Sequence, residues 1–145
     1  MSRDILGAPP RSFFVISGIA LAWNLLGVAL YVMQVSMSEE ALAAMEPARR
    51  ALMESMPTWL VSVYALAVNT GALGSLLLLL RKALAVPLLM FSLACIVVQM
   101  GYSLFMTDAM AVYGPAIAGQ AAFITAVGIY LVWFSRRARH RHWIK

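Results

Sequence analysis

The chain has 145 residues, of which 63% are hydrophobic and 12% charged, and its formal net charge is +5. An average soluble domain carries about 25% charged and about 45–50% apolar residues, so a water-soluble domain of this size could not cover so much apolar surface. The composition therefore excludes an ordinary cytosolic enzyme, a nucleic-acid-binding domain and a disordered regulator. It indicates an integral membrane protein.

Four charge-free segments are each long enough to cross a hydrocarbon core, which takes about 20 residues of helix. They cover residues 13–35, 58–80, 83–106 and 115–135. All four are predicted to be helices, because lipid offers no partner to an unpaired backbone group. The sequence thus predicts an all-α membrane protein, an antiparallel four-helix transmembrane bundle that forms one domain over residues 1–145.

Basic residues indicate how the spans are oriented. Only Arg49 and Arg50 lie in the connection between spans one and two, whereas nine basic residues flank the opposite ends of the spans. Because cytoplasmic loops carry an excess of lysine and arginine, this distribution places both termini in the cytoplasm. We interpret the basic tail, residues 136–145, as an anchor for anionic lipid and not as a nucleic-acid site. The nine residues are Arg3, Arg11, Arg81, Lys82, Arg136, Arg137, Arg139, Arg141 and Lys145.

The connection formed by residues 36–57 is the one with room for structure outside the membrane. It contains a capping box, a proline that can open a helix, and an i, i+4 ion pair. These signals predict a short extracytoplasmic helical segment in two pieces, which lies on the outer leaflet or over the mouth of the bundle. The residues concerned are Ser36 with Glu39, Pro47, and Arg50 with Glu54.

Polar side chains recur at helical spacing and at similar depth in the four spans. Asn24, Asn69 and Thr125 fall near the middle of their spans, and Gln99 lies about one turn toward the outside. We predict that these side chains face the interior. They can hydrogen-bond between helices, or they can line a pocket for a small polar or amphipathic molecule. On the second interpretation, the ligand-binding residues are Asn24, Tyr31, Asn69, Gln99 and Tyr102.

The sequence lacks the residues that several classes of function require. No Asp, Glu, Lys, Arg or His lies inside a span, and this disfavours a proton-coupled carrier. The sequence has no nucleophile–base pair and no glycine-rich phosphate loop, so we expect no catalytic residue, no cofactor and no enzymatic activity. Ten methionines suggest a Cu(I) site, but methionine commonly fills gaps between apolar helices and Cys95 has no second thiol. We expect no metal site.

Short runs distributed over nearly the whole chain carry a resemblance. They are residues 23–27 (WNLLG), 31–34 (YVMQ), 56–59 (MPTW), 71–74 (GALG), 80–82 (LRK) with 87–88 (PL), 133–136 (WFSR) and 143–145 (WIK). These runs are similar to those of a widespread group of small bacterial inner-membrane proteins with four spans, which are often labelled sugar transporters. The resemblance implies a location in the bacterial inner membrane and suggests a solute carrier.

Two functions remain open at this point. The first is a structural, accessory or lipid-interacting membrane bundle, which the charge-free spans and the basic tail favour. The second is a carrier or binding protein for a small neutral solute such as a sugar, because the amides of Asn24, Asn69 and Gln99 offer both donors and acceptors. Four helices leave little room for alternating access, so a carrier would work as a homodimer. The expected partners are membrane lipids and either a second copy or a larger membrane complex.

Overall fold

The computed structural model describes residues 7–145, and its seven secondary-structure elements are all helices. Four of them are long and apolar enough to cross a membrane, as predicted, which indicates a multi-pass membrane protein. These are α1 (Arg11–Val35), α4 (Thr58–Leu79), α5 (Ala85–Phe105) and α7 (Ala116–His140). Short helices α2 (Glu39–Ala43), α3 (Pro47–Glu54) and α6 (Ala109–Tyr113) lie in the connections. Arg3, which contributes to the predicted orientation, lies outside the described residues.

The long helices have two distinct ends. At the first, which we call the hairpin end, α4 turns into α5 through Arg81 and Lys82, and the chain terminates nearby. At the second, the loop end, residues 36–57 join α1 to α4, and α6 lies between α5 and α7. The helices pack in the order α1, α4, α5, α7, so that α4 and α5 are the two central ones.

Glycines allow the central helices to approach their neighbours closely. A Cβ atom on Gly74 of α4 would lie 2.9 Å from Cγ of Leu89 in α5. A Cβ atom on Gly128 of α7 would lie 2.9 Å from Cδ1 of Leu93. Both contacts are shorter than carbon atoms tolerate, so the leucines occupy space that a larger residue would take. Small residues at helix contacts are typical of helix packing in membranes.

The apolar core is concentrated at the hairpin end. Phe13 and Leu78 are fully buried there, and the ring of Phe13 stacks on Phe134 with centroids 5.8 Å apart. Ile144, the penultimate residue, is only 3% exposed and packs into the same cluster. Side chains from all four long helices and from the C-terminus therefore pack together at this end.

Helices α4 and α7 both end with a residue in the left-handed conformation. Arg81 has a φ of 62°, and the N–H of Lys82 donates to the carbonyl of Leu77 at 2.8 Å. This is the hydrogen-bond pattern of a Schellman motif, which usually has glycine at the left-handed position. α7 ends in the same way, with His142 at a φ of 57°. The chain therefore reverses sharply after each helix.

These reversals bring the C-terminus onto the turn between α4 and α5. The N–H of Lys145 donates to the carbonyl of Arg81 at 2.9 Å, and the N–H of Ala83 donates to the carbonyl of Lys145 at 2.8 Å. Nε of Arg81 also donates to the carbonyl of Trp143 at 2.7 Å. The predicted tail, residues 136–145, is thus partly α7 and partly a folded hook. Its binding to anionic lipid remains a prediction for the exposed arginines.

The connection at the loop end has the two predicted helical pieces, α2 and α3. Nε of Arg50 lies 2.7 Å from Oε1 of Glu54, which is the predicted ion pair. The cap of α2 is Ser38, whose Oγ accepts from the N–H of Ala41 at 3.2 Å. The prediction that Ser36 provides this cap is wrong, because Ser36 is the C-cap of α1.

Candidate functional site

A cavity lies between the four long helices toward the loop end, with a volume of ≈ 440 Å³. Ligand pockets in proteins commonly have volumes of about 300–1,000 Å³. Most of the lining residues are apolar, and none of them is Asp, Glu, Lys, Arg or His. The polar lining residues are Asn24, Gln34, Tyr64, Gln99, Ser103, Tyr113 and Gln120. The cavity therefore combines neutral hydrogen-bonding groups with an apolar wall.

One side of the cavity lies between α1 and α7. Within residues 7–145, these two helices are not among the closely packed pairs. They meet through an edge-to-face contact of Trp23 and Phe123, whose ring centroids are 5.6 Å apart. Leu26 and Leu30 of α1 line the cavity and are also exposed on the outside of the protein. The α1–α7 side is consequently the most open wall.

Asn24 lines the cavity and also links α1 to α4. Its Nδ2 donates to the carbonyl of Ala20 at 2.9 Å and to Oγ of Ser75 at 3.0 Å. Its Oδ1 lies directly over Gly71, where it would overlap an added Cβ atom. The absence of a side chain at position 71 is therefore what makes room for this amide.

A second polar contact joins α5 to α4 at the same level. Oγ of Ser92 donates to the carbonyl of Ala67 at 2.7 Å, and both residues are buried. Ser92 also borders Gly71, since its Oγ would lie 3.0 Å from a Cβ there. We call this set of contacts around Gly71 the polar tie. It consists of Asn24, Ala67, Gly71, Ser75 and Ser92.

Gln99, unlike Asn24, does not link two helices by a side-chain hydrogen bond within residues 7–145. It is half-buried, lines the cavity, and makes no side-chain hydrogen bond within residues 7–145. Gln34, farther toward the loop end, makes one side-chain hydrogen bond within residues 7–145, from its Nε2 to the sulfur of Met56 at 4.0 Å. Each amide has two N–H donors and a carbonyl acceptor. Their hydrogen-bonding capacity is available to a molecule in the cavity.

Two of the five predicted ligand-binding residues, Asn24 and Gln99, line the cavity. Tyr31 and Tyr102 do not. The ring of Tyr31 packs edge to face on Tyr64 at 5.2 Å, and Tyr102 packs in the same way on Trp59 at 5.3 Å. Tyr64 does line the cavity and is absent from the predicted set.

The prediction that Asn69 faces the interior is wrong. Its side chain is exposed, and its Nδ2 donates to the carbonyl of Ala65 in the same helix at 2.8 Å. The small residues of α4 face inward, because Gly71 meets Asn24 of α1 and Ser92 of α5, and Ala67 accepts a hydrogen bond from Ser92. Asn69 is two residues from each of them, about 200° around the helix, and so points outward. Thr125, also predicted to face inward, is half-buried and does not line the cavity.

Tyr64, one of several polar lining residues absent from the predicted set, belongs to a pattern that is readable in the sequence. Tyr64, Ala67, Gly71 and Leu78 repeat at helical spacing along the inward face of α4, and the last three are buried. In α4 the small residues mark the packed face, as is typical of membrane helices, whereas Asn69 lies outside it. Among the described residues, no group of three or more His, Cys, Asp and Glu is placed to hold a metal ion.

Comparison of the chain with protein-family models, curated proteins and solved structures finds no match.

Proposed function

We propose that this protein is a multi-pass inner-membrane protein that binds a neutral amphipathic molecule between its four long helices. The observation that carries the proposal is the cavity of ≈ 440 Å³, which has neutral amides and hydroxyls on an otherwise apolar wall. Such groups bind an uncharged polar head without the desolvation penalty of a buried charge. The apolar wall suits the rest of the ligand.

In the proposed arrangement, the long helices form an antiparallel transmembrane bundle with the hairpin end in the cytoplasm. The basic residues at that end support this orientation. The guanidinium of Arg137 lies 5.3 Å from the ring centroid of Trp133, and both side chains are exposed at the hairpin end. Tryptophan and arginine in this position are typical of a membrane–water interface, where arginine also contacts anionic lipid.

The ligand would enter sideways from the bilayer, between α1 and α7. Leu26, Leu30 and Phe123 are exposed on this side and line the cavity. In a bilayer these residues would contact acyl chains, so an apolar tail could pass between them without meeting a polar barrier. The polar head would reach Gln99 and Asn24 in the interior.

A purely structural role, the other function considered from the sequence, accounts for only part of the site. It explains the polar tie, because hydrogen bonds between membrane helices stabilise their packing. It assigns no partner to the amide of Gln99, and the amide of Gln34 has only the sulfur of Met56. A free sugar, in turn, has hydroxyl groups on all sides and would leave several of them facing apolar residues such as Leu26 and Ile117.

Photolabelling tests the proposal. The full-length protein in phosphatidylcholine nanodiscs is irradiated with a neutral monoacylglycerol that carries a diazirine close to its head group. We expect saturable labelling of cavity residues such as Met100. Gln99→Leu should weaken the apparent affinity about fivefold, the effect of one lost hydrogen bond of about 1 kcal/mol. Val98→Leu, on the exposed face of α5, is the matched control and should label like the original protein.

Thermal unfolding of the same variants separates binding from packing. Gln99→Leu should leave the unfolding temperature unchanged, whereas Asn24→Leu should lower it because the hydrogen bond to Ser75 is lost. The binding function would be refuted, in favour of a structural one, if all lipid-exposed faces were labelled equally and Gln99→Leu did not change the labelling. Equal competition by free glucose would refute an amphipathic ligand in favour of a sugar-like solute.

A further inference from the structure

The outward face of α4 differs from the outward faces of its two neighbours. Every exposed residue of α1 from Phe14 to Val35 is apolar, and so is every exposed residue from Leu84 through the end of α5. The exposed face of α4, in contrast, includes Ser62 and Asn69. Polar residues that face the surrounding bilayer need an explanation, because lipid offers them no hydrogen bond.

Asn69 is the more demanding of the two. It is the twelfth residue of the 22-residue helix α4, about 15 Å from either end at 1.5 Å per residue. One N–H of its side chain donates to the carbonyl of Ala65. Within residues 7–145, its other N–H and its Oδ1 make no hydrogen bond. An amide in the middle of a hydrocarbon core is costly until these groups are paired.

The exposed residues of α4 form one narrow stripe, since α1 and α5 cover the flanks of the helix. From Trp59 to the C-cap Leu80, they recur at alternating intervals of three and four. We call this stripe the α4 seam. It consists of Trp59, Ser62, Leu66, Asn69, Leu73, Leu76 and Leu80. The spacing is that of two helices that cross at a small left-handed angle, with leucines packing above and below a central amide.

We propose that the α4 seam is the interface of a parallel homodimer, in which the two Asn69 side chains hydrogen-bond to each other. All copies enter a membrane in the same orientation, so the two-fold axis of a dimer lies along the membrane normal and the two α4 helices are parallel. Each seam residue then lies opposite its own copy. An amide is both donor and acceptor, so Asn69 is complementary to a second Asn69. Leu66 and Leu73 complete the contact on either side.

The proposed dimer does not involve the cavity. Tyr64 and Val68, which line the cavity, point about 140° and about 100° around α4 away from Asn69. The open side between α1 and α7 would remain accessible in both copies. Dimerisation and ligand binding are therefore separate properties, and a failure of one leaves the other untouched.

Single-cysteine cross-linking tests the interface. The buried native thiol is first removed as Cys95→Ser. Leu73→Cys then places a thiol on the seam, and Phe91→Cys places one on the outward face of α5, where the original side chains are 48% and 47% exposed. In liposomes at low protein density, oxidation should join the Leu73→Cys copies and leave Phe91→Cys monomeric, because a disulfide needs Cα atoms within about 7 Å.

Energy transfer between copies labelled at the C-terminus measures the role of the amide. Asn69→Leu should weaken association about tenfold, the effect expected from losing polar contacts between membrane helices. Asn69→Gln, which keeps the amide, should associate nearly as well as the original protein. Any one of three results would overturn the proposal. They are no cross-linking at position 73, equal cross-linking at positions 73 and 91, and association of Asn69→Leu as strong as that of the original protein.

Discussion

The substitution Gly71→Ala tests the polar tie at the point where it is tightest. The new Cβ would overlap Oδ1 of Asn24 and would lie 3.0 Å from Oγ of Ser92. Because Gly71 is inside α4, the backbone has little freedom to move away. The side chain of Asn24 would therefore have to rotate, and its hydrogen bond to Ser75 would be lost.

The expected cost follows from three contributions. Overpacking of a tight contact costs about 1–3 kcal/mol, and a lost hydrogen bond between membrane helices costs about 0.6–2 kcal/mol. The higher helix propensity of alanine returns about 1 kcal/mol. We expect Gly71→Ala to lower the free energy of unfolding by about 2 kcal/mol. Titration with sodium dodecyl sulfate in mixed micelles, followed by circular dichroism, measures this quantity.

Two controls make the experiment specific. Gly101→Ala makes the same change in α5, where nothing beyond the surrounding backbone of the helix lies within 4 Å of the new Cβ, and should leave stability equal or higher. Asn24→Ala removes the side chain that the new Cβ at position 71 would meet. Gly71→Ala should therefore cost less stability in the Asn24→Ala variant than in the original protein, and the difference between the two costs should be about 1 kcal/mol or more. The reasoning is refuted if Gly71→Ala costs the same with and without the Asn24 side chain.

Further predictions concern the hairpin end and the orientation of the chain. Ile144→Ala should lower the free energy of unfolding by about 2–5 kcal/mol, because this side chain is buried in the core. Chemical unfolding measures this free energy, and a loss below about 0.5 kcal/mol would contradict the folded hook. Arg81→Ala should unfold more readily than Lys82→Ala, because only Arg81 donates to the carbonyls of Trp143 and Gly7; equal stability of the two variants would count against this role. Reporter fusions after residue 145 should give cytoplasmic signals and fusions within residues 36–57 periplasmic ones, and the reverse pattern would invalidate the orientation.

The number and extent of the long helices could be predicted from the sequence because charges interrupt the apolar runs. Which face of each helix points inward could not be read from hydropathy, since lipid and protein interior are both apolar. From the sequence alone, the polar residues of a span are expected to mark its interior face. That reasoning works for Asn24 and fails for Asn69, which lies on the outside of a helix whose inner face is built from Ala67, Gly71 and Ser75.

The C-terminal hook could not be predicted for a different reason. Its turns place Arg81 and His142 in the left-handed conformation, which sequence patterns associate with glycine. The hydrogen bonds that stabilise it join Arg81 to residues 143–145, more than sixty positions apart in the sequence. A run of arginines and histidines is read locally as a soluble or lipid-bound tail. Only the folded chain brings its last residues to the α4–α5 turn.

A crystal structure grown from a monoolein mesophase would test the central claim most directly, because monoolein is itself a neutral amphipathic molecule. The account predicts a monoolein molecule that enters between α1 and α7, with its glycerol head within hydrogen-bonding distance of the Gln99 amide and its acyl chain along Leu26 and Leu30. The contradicting result is a space between the four long helices that is filled by protein side chains, with α1 and α7 in contact along their whole length.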